Sequence, residues 1–217
     1  MKVAVLSESP ADEAAIRILV DGILGEETEL PPPFRLRSRG WPSVRGILSS
    51  VIKHFQYQTD ADGLAVVVDA NGSPLDDPCA GEVAKGARRS RVAELHEVIE
   101  GVRGQLKQVP GRETLRVAVG VAAPAIEAWY LCGVDPGATE TSWMRELAEG
   151  TQARGKILSL KRQVYGTDRY SIALETERAV EHARRLAKDL NLLEKHFPAG
   201  FGTFAKNVRS WAGAEAR

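Results

Sequence analysis

The chain has 217 residues, a formal net charge of zero and a hydrophobic fraction of 43%. These values are typical of a globular protein with one large domain, or with one domain and an extension. No apolar run approaches the ~20 residues of a membrane-spanning helix, and the early acidic residues do not fit a secretory signal. Cys79 and Cys132 form no cluster that predicts a disulfide framework or a structural zinc site, so we expect a cytoplasmic protein.

Charge is distributed unevenly along the chain. Residues 1–150 hold 16 Lys and Arg against 22 Asp and Glu, a balance of −6. Residues 151–217 hold 13 against 7, a balance of +6. This asymmetry fits an acidic catalytic part beside a basic surface for a polyanion, and it fits equally well two solvated surfaces that attract each other.

Hydrophobic periodicity predicts strands that alternate with helices. The predicted strands cover residues 2–7, 34–37, 64–69 and 115–121. The predicted helices cover residues 10–24, 42–57, 88–108, 125–131, 142–149, 153–164, 172–194 and 203–213. This order predicts an α/β fold over residues 1–135, with a mainly parallel sheet flanked by helices, and a helical, basic C-terminal extension packed on it over residues 136–217.

Acidic side chains follow three of the predicted strands, at the point where each strand ends. Glu8 follows the first strand, Asp69 ends the third, and Glu127 comes shortly after the last. Open α/β sheets bind ligands at the carboxyl edge of their parallel strands, so we expect these carboxylates to converge there. Clustered carboxylates repel one another, and a hard cation such as Mg²⁺ relieves that repulsion. Asn71, two residues after Asp69 and therefore expected on the same side, could add a neutral oxygen ligand.

Two of these positions also have an ordinary structural interpretation. Glu8 fits a solvated loop acid that favours a helix N-terminus. The segment from Asp69 to Gly72 fits a simple turn. Glu127 is the exception, because its apolar surroundings favour a role in a site over a role on the surface.

Three groups of basic residues predict contacts with a phosphate backbone. The groups are Arg35, Arg37 and Arg39; Arg88, Arg89 and Arg91; and Lys156, Lys161 and Arg162. Each group taken singly also fits a solvated face. Lys161 and Arg162 fit the end of a helix as well, where cations are favoured.

These residues, in this order, resemble TOPRIM-like proteins. The resemblance is carried by Glu8 with the acids at 12 and 13, by the run from Val66 to Asp69, and by the run from Ile126 to Leu131. It covers about residues 2–132 and is greatest to small DUF4276-type proteins, which are related to the TOPRIM domains of OLD-family nucleases. It implies a compact TOPRIM-like α/β domain in which a Glu and an Asp-x-Asp pair bind Mg²⁺.

The resemblance also assigns roles to residues of this chain. Glu8 matches the Glu, Asp69 matches the first Asp of the pair, and Asn71 replaces the second, so one anionic ligand is missing. Glu127 matches an acid that the DUF4276-type relatives carry after their last core strand. The resemblance therefore implies that Glu8, Asp69 and Glu127 are catalytic and that, together with Asn71, they hold Mg²⁺ or Mn²⁺.

These expectations lead to a Mg²⁺-dependent nuclease that hydrolyses phosphodiester bonds with water. By resemblance, such proteins occur in prokaryotic anti-phage defence systems beside an ATPase, and this chain has no P-loop of its own, so we expect an ATPase partner subunit. The sequence leaves open whether the chain forms an oligomer. Two alternatives stay open: a non-catalytic module that binds nucleic acid or a partner protein, which Asn71 favours, and a phosphohydrolase of small phosphorylated molecules.

Overall fold

The structure is a computed structural model that describes residues 1–32, 40–75, 89–167 and 169–212. The predicted strand over residues 34–37 lies outside these residues, as do Arg35, Arg37, Arg39 and Arg88 of the predicted basic groups. Among the described residues, no helix combines the length and the apolar character needed to cross a membrane.

Three parallel strands form the sheet of the described chain, in the order β1-β2-β3. They are β1 (Val3–Leu6), β2 (Gly63–Asp69) and β3 (Arg116–Ala122). The middle strand β2 pairs with both neighbours, so that Leu64 lies opposite Ala4 and Val66 lies opposite Val119. An almost continuous apolar run is typical of a parallel strand that is buried on both faces, and every residue of β2 before Asp69 is buried. The predicted parallel α/β fold is confirmed.

Nine α-helices surround the sheet in the described part of the chain. They are α1 (Pro10–Leu24), α2 (Trp41–Gln58), α3 (Arg91–Arg103), α4 (Ile126–Tyr130), α5 (Glu140–Ala148), α6 (Ala153–Tyr165), α7 (Ile172–Leu186), α8 (Leu190–His196) and α9 (Thr203–Ala212). The ends of α1 follow directly from its sequence. The Ser9 side chain accepts a hydrogen bond from the Asp12 N–H at the start, and Gly25 ends the helix in the left-handed region.

The single helix predicted over residues 172–194 is wrong, because the structure contains two helices there. Helix α7 ends at Leu186, and α8 begins at Leu190. The Asp189 side chain accepts a hydrogen bond from the Leu192 N–H and caps the new helix. An Asp that bonds the backbone locally favours a helix start over a helix interior, which explains the break. Helix α3 is also shorter than the predicted 88–108, since it ends at Arg103.

Helices cover the sheet from both faces. Alternate residues of β2 face opposite ways: Ala65 and Val67 pack with α1, α4 and α6 to α9, whereas Leu64, Val66 and Val68 pack with α2, α3 and α5. The C-terminal helices share one apolar cluster with the sheet, because Phe204 of α9 and Trp129 of α4 belong to the same cluster. Helix α7 lies along α1, and α9 packs on β3.

A single π-helical turn (Pro198–Gly202) locks the C-terminal helices onto β3. A Cβ atom on Gly200 would overlap the Val121 carbonyl oxygen and lie 2.9 Å from Oε1 of Glu140.

We therefore expect Gly200→Ala to lower the free energy of unfolding by about 2–4 kcal/mol, measured by urea denaturation. Gly101→Ala in α3 is the control, because its added Cβ would meet no described atom within 4 Å outside the neighbouring helix backbone, and Ala favours a helix by up to about 1 kcal/mol. Equal stability of the two variants would contradict the packing described here.

Candidate functional site

The ends of β1 and β2 bring Glu8 and Asp69 together. Glu8 lies between β1 and the Ser9 cap of α1, and its Oε1 accepts a hydrogen bond of 3.0 Å from the Asp69 N–H. The same oxygen forms an ion pair of 3.2 Å with Nη1 of Arg91, the first residue of α3. The predicted meeting of these two carboxylates at the carboxyl edge of the sheet is thus what the structure shows.

Asp69 in turn fixes the segment that carries Glu127. Its Oδ1 accepts a hydrogen bond of 2.8 Å from the N–H of Ile126, the first residue of α4. The next residue is Glu127, which is only 2% exposed. All three predicted acids therefore lie at one edge of the sheet, joined through backbone N–H groups of neighbouring segments.

The carboxylate of Glu127 has two unlike oxygens. Oε1 accepts a hydrogen bond of 3.0 Å from the Tyr165 hydroxyl and forms an ion pair of 3.5 Å with Nζ of Lys161. Oε2 is buried and has no hydrogen-bond partner in the part of the chain that the structure describes. An unpartnered buried carboxylate oxygen is costly unless a cation or water reaches it.

Two further acids belong to the same cluster and were not among the predicted site residues. Asp12, in the first turn of α1, is 9% exposed, and Glu175 lies in the first turn of α7. Each acid continues the buried face of its helix, since Asp12 precedes Ala15 and Ile16 at helical spacing and Glu175 precedes Ala179. A charge on an apolar helical face was the signal for both residues.

Crowding and burial shift the acids toward their neutral forms. Burial, aided by the Glu127 charge, raises the pKa of Asp12 to about 7 from its ordinary value of 3.8. Burial and the charges of Glu127, Glu8 and Asp12 raise the pKa of Asp69 well above its usual range. Burial raises the pKa of Glu8, against the opposing effects of the Asp69 N–H and of Arg91. The cluster thus carries more negative charge than its own cations neutralise, and a proton or a bound cation relieves it.

Two predicted phosphate-binding residues lie inside this site, on its carboxylates. Arg91 pairs with Glu8, and its guanidinium lies 4.7 Å from the ring centre of Trp41. Lys161 pairs with Glu127. Burial is the largest single effect on Lys161 and acts to lower its pKa, but the combined effects of Glu127, Tyr170 and Asp69 outweigh it and raise that pKa above its ordinary value. Both side chains therefore stay charged and offset part of the negative charge.

The other described residues of the predicted basic groups lie elsewhere. Arg89, just before α3, forms an exposed ion pair of 3.1 Å with Glu97, and Lys156 of α6 forms a half-buried ion pair of 2.8 Å with Glu146. Arg162 lies in the last turn of α6.

Asn71 follows β2 in a turn. Its backbone has a φ of 48°, in the left-handed region, and its N–H donates a hydrogen bond of 2.9 Å to the Pro124 carbonyl. The expectation that Asn71 faces the same side as Asp69 relied on strand alternation, and that alternation ends with β2 at Asp69. The turn interpretation of this segment is the one the backbone adopts.

The residues present fit a divalent cation held by few protein ligands. Within the described ranges, no three His, Cys, Asp or Glu side chains stand in a ready-made metal-binding group. Mg²⁺ often binds one or two carboxylates and completes its shell with water and substrate phosphates. Oε2 of Glu127, which has no hydrogen-bond partner among the described residues, and the carboxyls of Asp69 and Asp12, on which the Glu127 charge acts, fit that demand.

No family model, no curated protein and no solved structure matches the chain.

The raised pKa of Asp12 predicts how stability depends on pH. The folded protein keeps this carboxyl protonated between pH 3.8 and about 7, where the unfolded chain ionises it. Its stabilising contribution is therefore complete below pH 3.8 and is lost as the pH rises through about 7. At about 1.4 kcal/mol per pKa unit, the loss is at most about 4 kcal/mol. Asp12→Asn should flatten this fall in urea unfolding measured with EDTA from pH 4 to pH 8.

The exposed Glu100, paired with Arg103 on the surface of α3, supplies the control for this experiment. Glu100→Gln should keep the wild-type dependence on pH. If Asp12→Asn keeps that dependence too, then Asp12 does not hold a proton in the folded protein.

Proposed function

We propose that the chain is a Mg²⁺-dependent nuclease with a TOPRIM-like site that hydrolyses phosphodiester bonds. One observation carries the proposal: four acids, Glu8, Asp12, Asp69 and Glu127, lie together at the carboxyl edge of a parallel sheet, and within the described residues one buried oxygen of Glu127 has no hydrogen-bond partner. The sequence resemblance of the residues at this edge to TOPRIM-like proteins supports the same function.

The site residues divide the work of hydrolysis among them. Asp69 and Glu127 would hold the cation, which when bound polarises a phosphoryl oxygen and lowers the pKa of an attacking water. Glu8, held by the Asp69 N–H and by Arg91, would take a proton from that water as general base. Arg91 and Lys161 supply positive charge beside the carboxylates, where a phosphate would meet it.

Water is the proposed nucleophile, in preference to a tyrosine. Tyr165 contacts the site through its hydroxyl, which donates a hydrogen bond to Glu127. Burial and the Glu127 charge raise the pKa of Tyr165 far above its ordinary value. A phenol that stays protonated is a poor nucleophile.

The proposed substrate is a nucleic acid, and the proposed partner is an ATPase subunit in a prokaryotic anti-phage system. The first follows from the +6 balance of residues 151–217. The second rests on the resemblance alone, together with the lack of a P-loop in the sequence.

A non-catalytic module that binds nucleic acid or a partner protein is the second candidate. It is favoured by a specific observation, namely that Arg91 and Lys161 already neutralise two of the carboxylates. The turn conformation of Asn71, at the place of a second Asp, favours it as well. In such a module the same charges would serve to stabilise the fold.

Metal binding and cleavage test the enzyme directly. We expect wild-type protein to bind Mn²⁺ in calorimetry and to nick plasmid DNA across a Mn²⁺ titration. Glu8→Gln retains an oxygen to accept the Asp69 N–H but removes the base, so cleavage should fall by about 10²-fold or more. Asp69→Asn should weaken Mn²⁺ binding by at least about tenfold, since it removes an anionic ligand. Asn71→Asp should not abolish cleavage.

Glu97→Gln, on the exposed surface of α3, is the matched control and should bind and cleave like the wild type. Glu8→Gln that is as active as the wild type would place the cleavage elsewhere or in a contaminant. Inertness of wild-type protein toward DNA, even with an ATPase partner present, would favour the non-catalytic module.

Nucleic-acid binding should depend steeply on salt. Each phosphate neutralised by Lys or Arg lowers the slope of log K against log salt by about 0.9 for double-stranded DNA. Lys156→Gln, which removes a half-buried cation of α6, should reduce the slope by about 1 and weaken binding to all sequences alike. Fluorescence anisotropy with labelled DNA measures both. Binding that ignores salt, or no binding at low salt, would favour a partner protein or a small phosphorylated substrate.

A further inference from the structure

Helix α6 holds the carboxylate of Glu127 through one of its two oxygens. Lys161 and Tyr165 are one helical turn apart, so both reach the same side of Glu127. Both also contact the same atom, Oε1, at 3.5 Å and 3.0 Å. The other oxygen, Oε2, is buried, and no described residue forms a hydrogen bond with it. Because Lys161 and Tyr165 both hold Oε1, they fix the direction in which Oε2 points.

The ring of Tyr165 is itself held in place. It is 4% exposed and lies 4.4 Å from the ring of Tyr170, centre to centre. Helix α6 ends at Tyr165, and Gly166 turns the chain with a φ of 70° so that Tyr170 returns over the ring. Lys161 also hydrogen-bonds Tyr170. These contacts make Tyr165 a rigid donor to Glu127.

We infer that Tyr165 is a positioning residue for a divalent cation, because it orients Glu127 so that Oε2 stays available as a ligand. The inference rests on the proposed metal site. Ligands of metal ions are commonly oriented by a second group that hydrogen-bonds their other polar atom. Here that second group comes from α6, a helix beyond the sheet.

A double-mutant cycle with Mn²⁺ alone as the probe tests the inference. Loss of an outer-shell partner typically costs 10–100-fold in metal affinity. Tyr165→Phe should thus raise the calorimetric Kd for Mn²⁺ by about tenfold or more in the wild-type background. In a Glu127→Gln background, the same substitution should change the Kd by less than about twofold, because the residue it orients has lost its charge.

Tyr57→Phe is the matched control. It removes the same hydroxyl from an exposed tyrosine of α2, whose partner is the Lys107 N–H, and it should leave the Kd unchanged. Thermal unfolding of the metal-free variants shows whether Tyr165→Phe is folded. If it is not folded at the assay temperature, the Kd values for Mn²⁺ of Glu127→Gln with and without Tyr165→Phe are compared at a temperature below both unfolding midpoints.

The outcomes separate the inference from the proposed function. An unchanged Kd for Tyr165→Phe in the wild-type background, or an equal loss in both backgrounds, overturns the inference alone. Absence of Mn²⁺ binding by the wild-type protein overturns the metal site, and the inference with it.

Discussion

Hydrogen bonds from backbone N–H groups to buried carboxylates join the segments that form the edge of the sheet. Glu8 at the end of β1 accepts from Asp69 at the end of β2, and Asp69 accepts from Ile126 at the start of α4. Charge-assisted bonds of this kind are stronger than those between neutral groups. The same acids that look catalytic therefore also set the positions of β1, β2 and α4 relative to one another. Any substitution at Glu8 or Asp69 changes structure and chemistry together, which is why variants that keep an acceptor oxygen are the informative ones.

The second consequence of this arrangement is electrostatic. Burial and mutual repulsion favour the neutral forms of Asp12 and Asp69, whereas Arg91 and Lys161 favour the charged forms of their neighbours. The balance between protons and side-chain cations decides the charge of the site, and in the proposed metal site a bound cation would enter the same balance. A divalent cation would replace protons at these carboxyls, so metal binding and proton release are linked. In the proposed site, the dependence of stability on pH and the affinity for metal would both reflect the protonation of the same carboxyls.

Features with local causes could be predicted from the sequence. The bounds of α1 follow from the Ser9 cap and from Gly25, and the buried runs of β2 and β3 follow from their apolar composition. The meeting of Glu8, Asp69 and Glu127 followed from the rule that parallel strands end at one edge. Local patterns failed where a side chain competed with the helix, as Asp189 does between α7 and α8.

Contacts between distant helices could not be predicted in the same way. Lys161 looked like a surface cation or a helix-end residue, and only the packing of α6 on α4 places it on Glu127. The role of Tyr165 could not be predicted from a local pattern, because it depends on a partner 38 residues earlier in the chain. Asp12 and Glu175 were visible as charges on apolar helical faces. That both belong to one cluster of acids became clear only where α1 and α7 pack together.

The late position of α6 has a consequence for how the chain folds during its synthesis. Glu127 is buried with the sheet, but Lys161 and Tyr165 leave the ribosome later, after α5. Until they arrive, closing the sheet would bury an uncompensated charge, which is strongly unfavourable. The nascent sheet edge therefore stays open to water until α6 emerges, and the site is completed together with the fold.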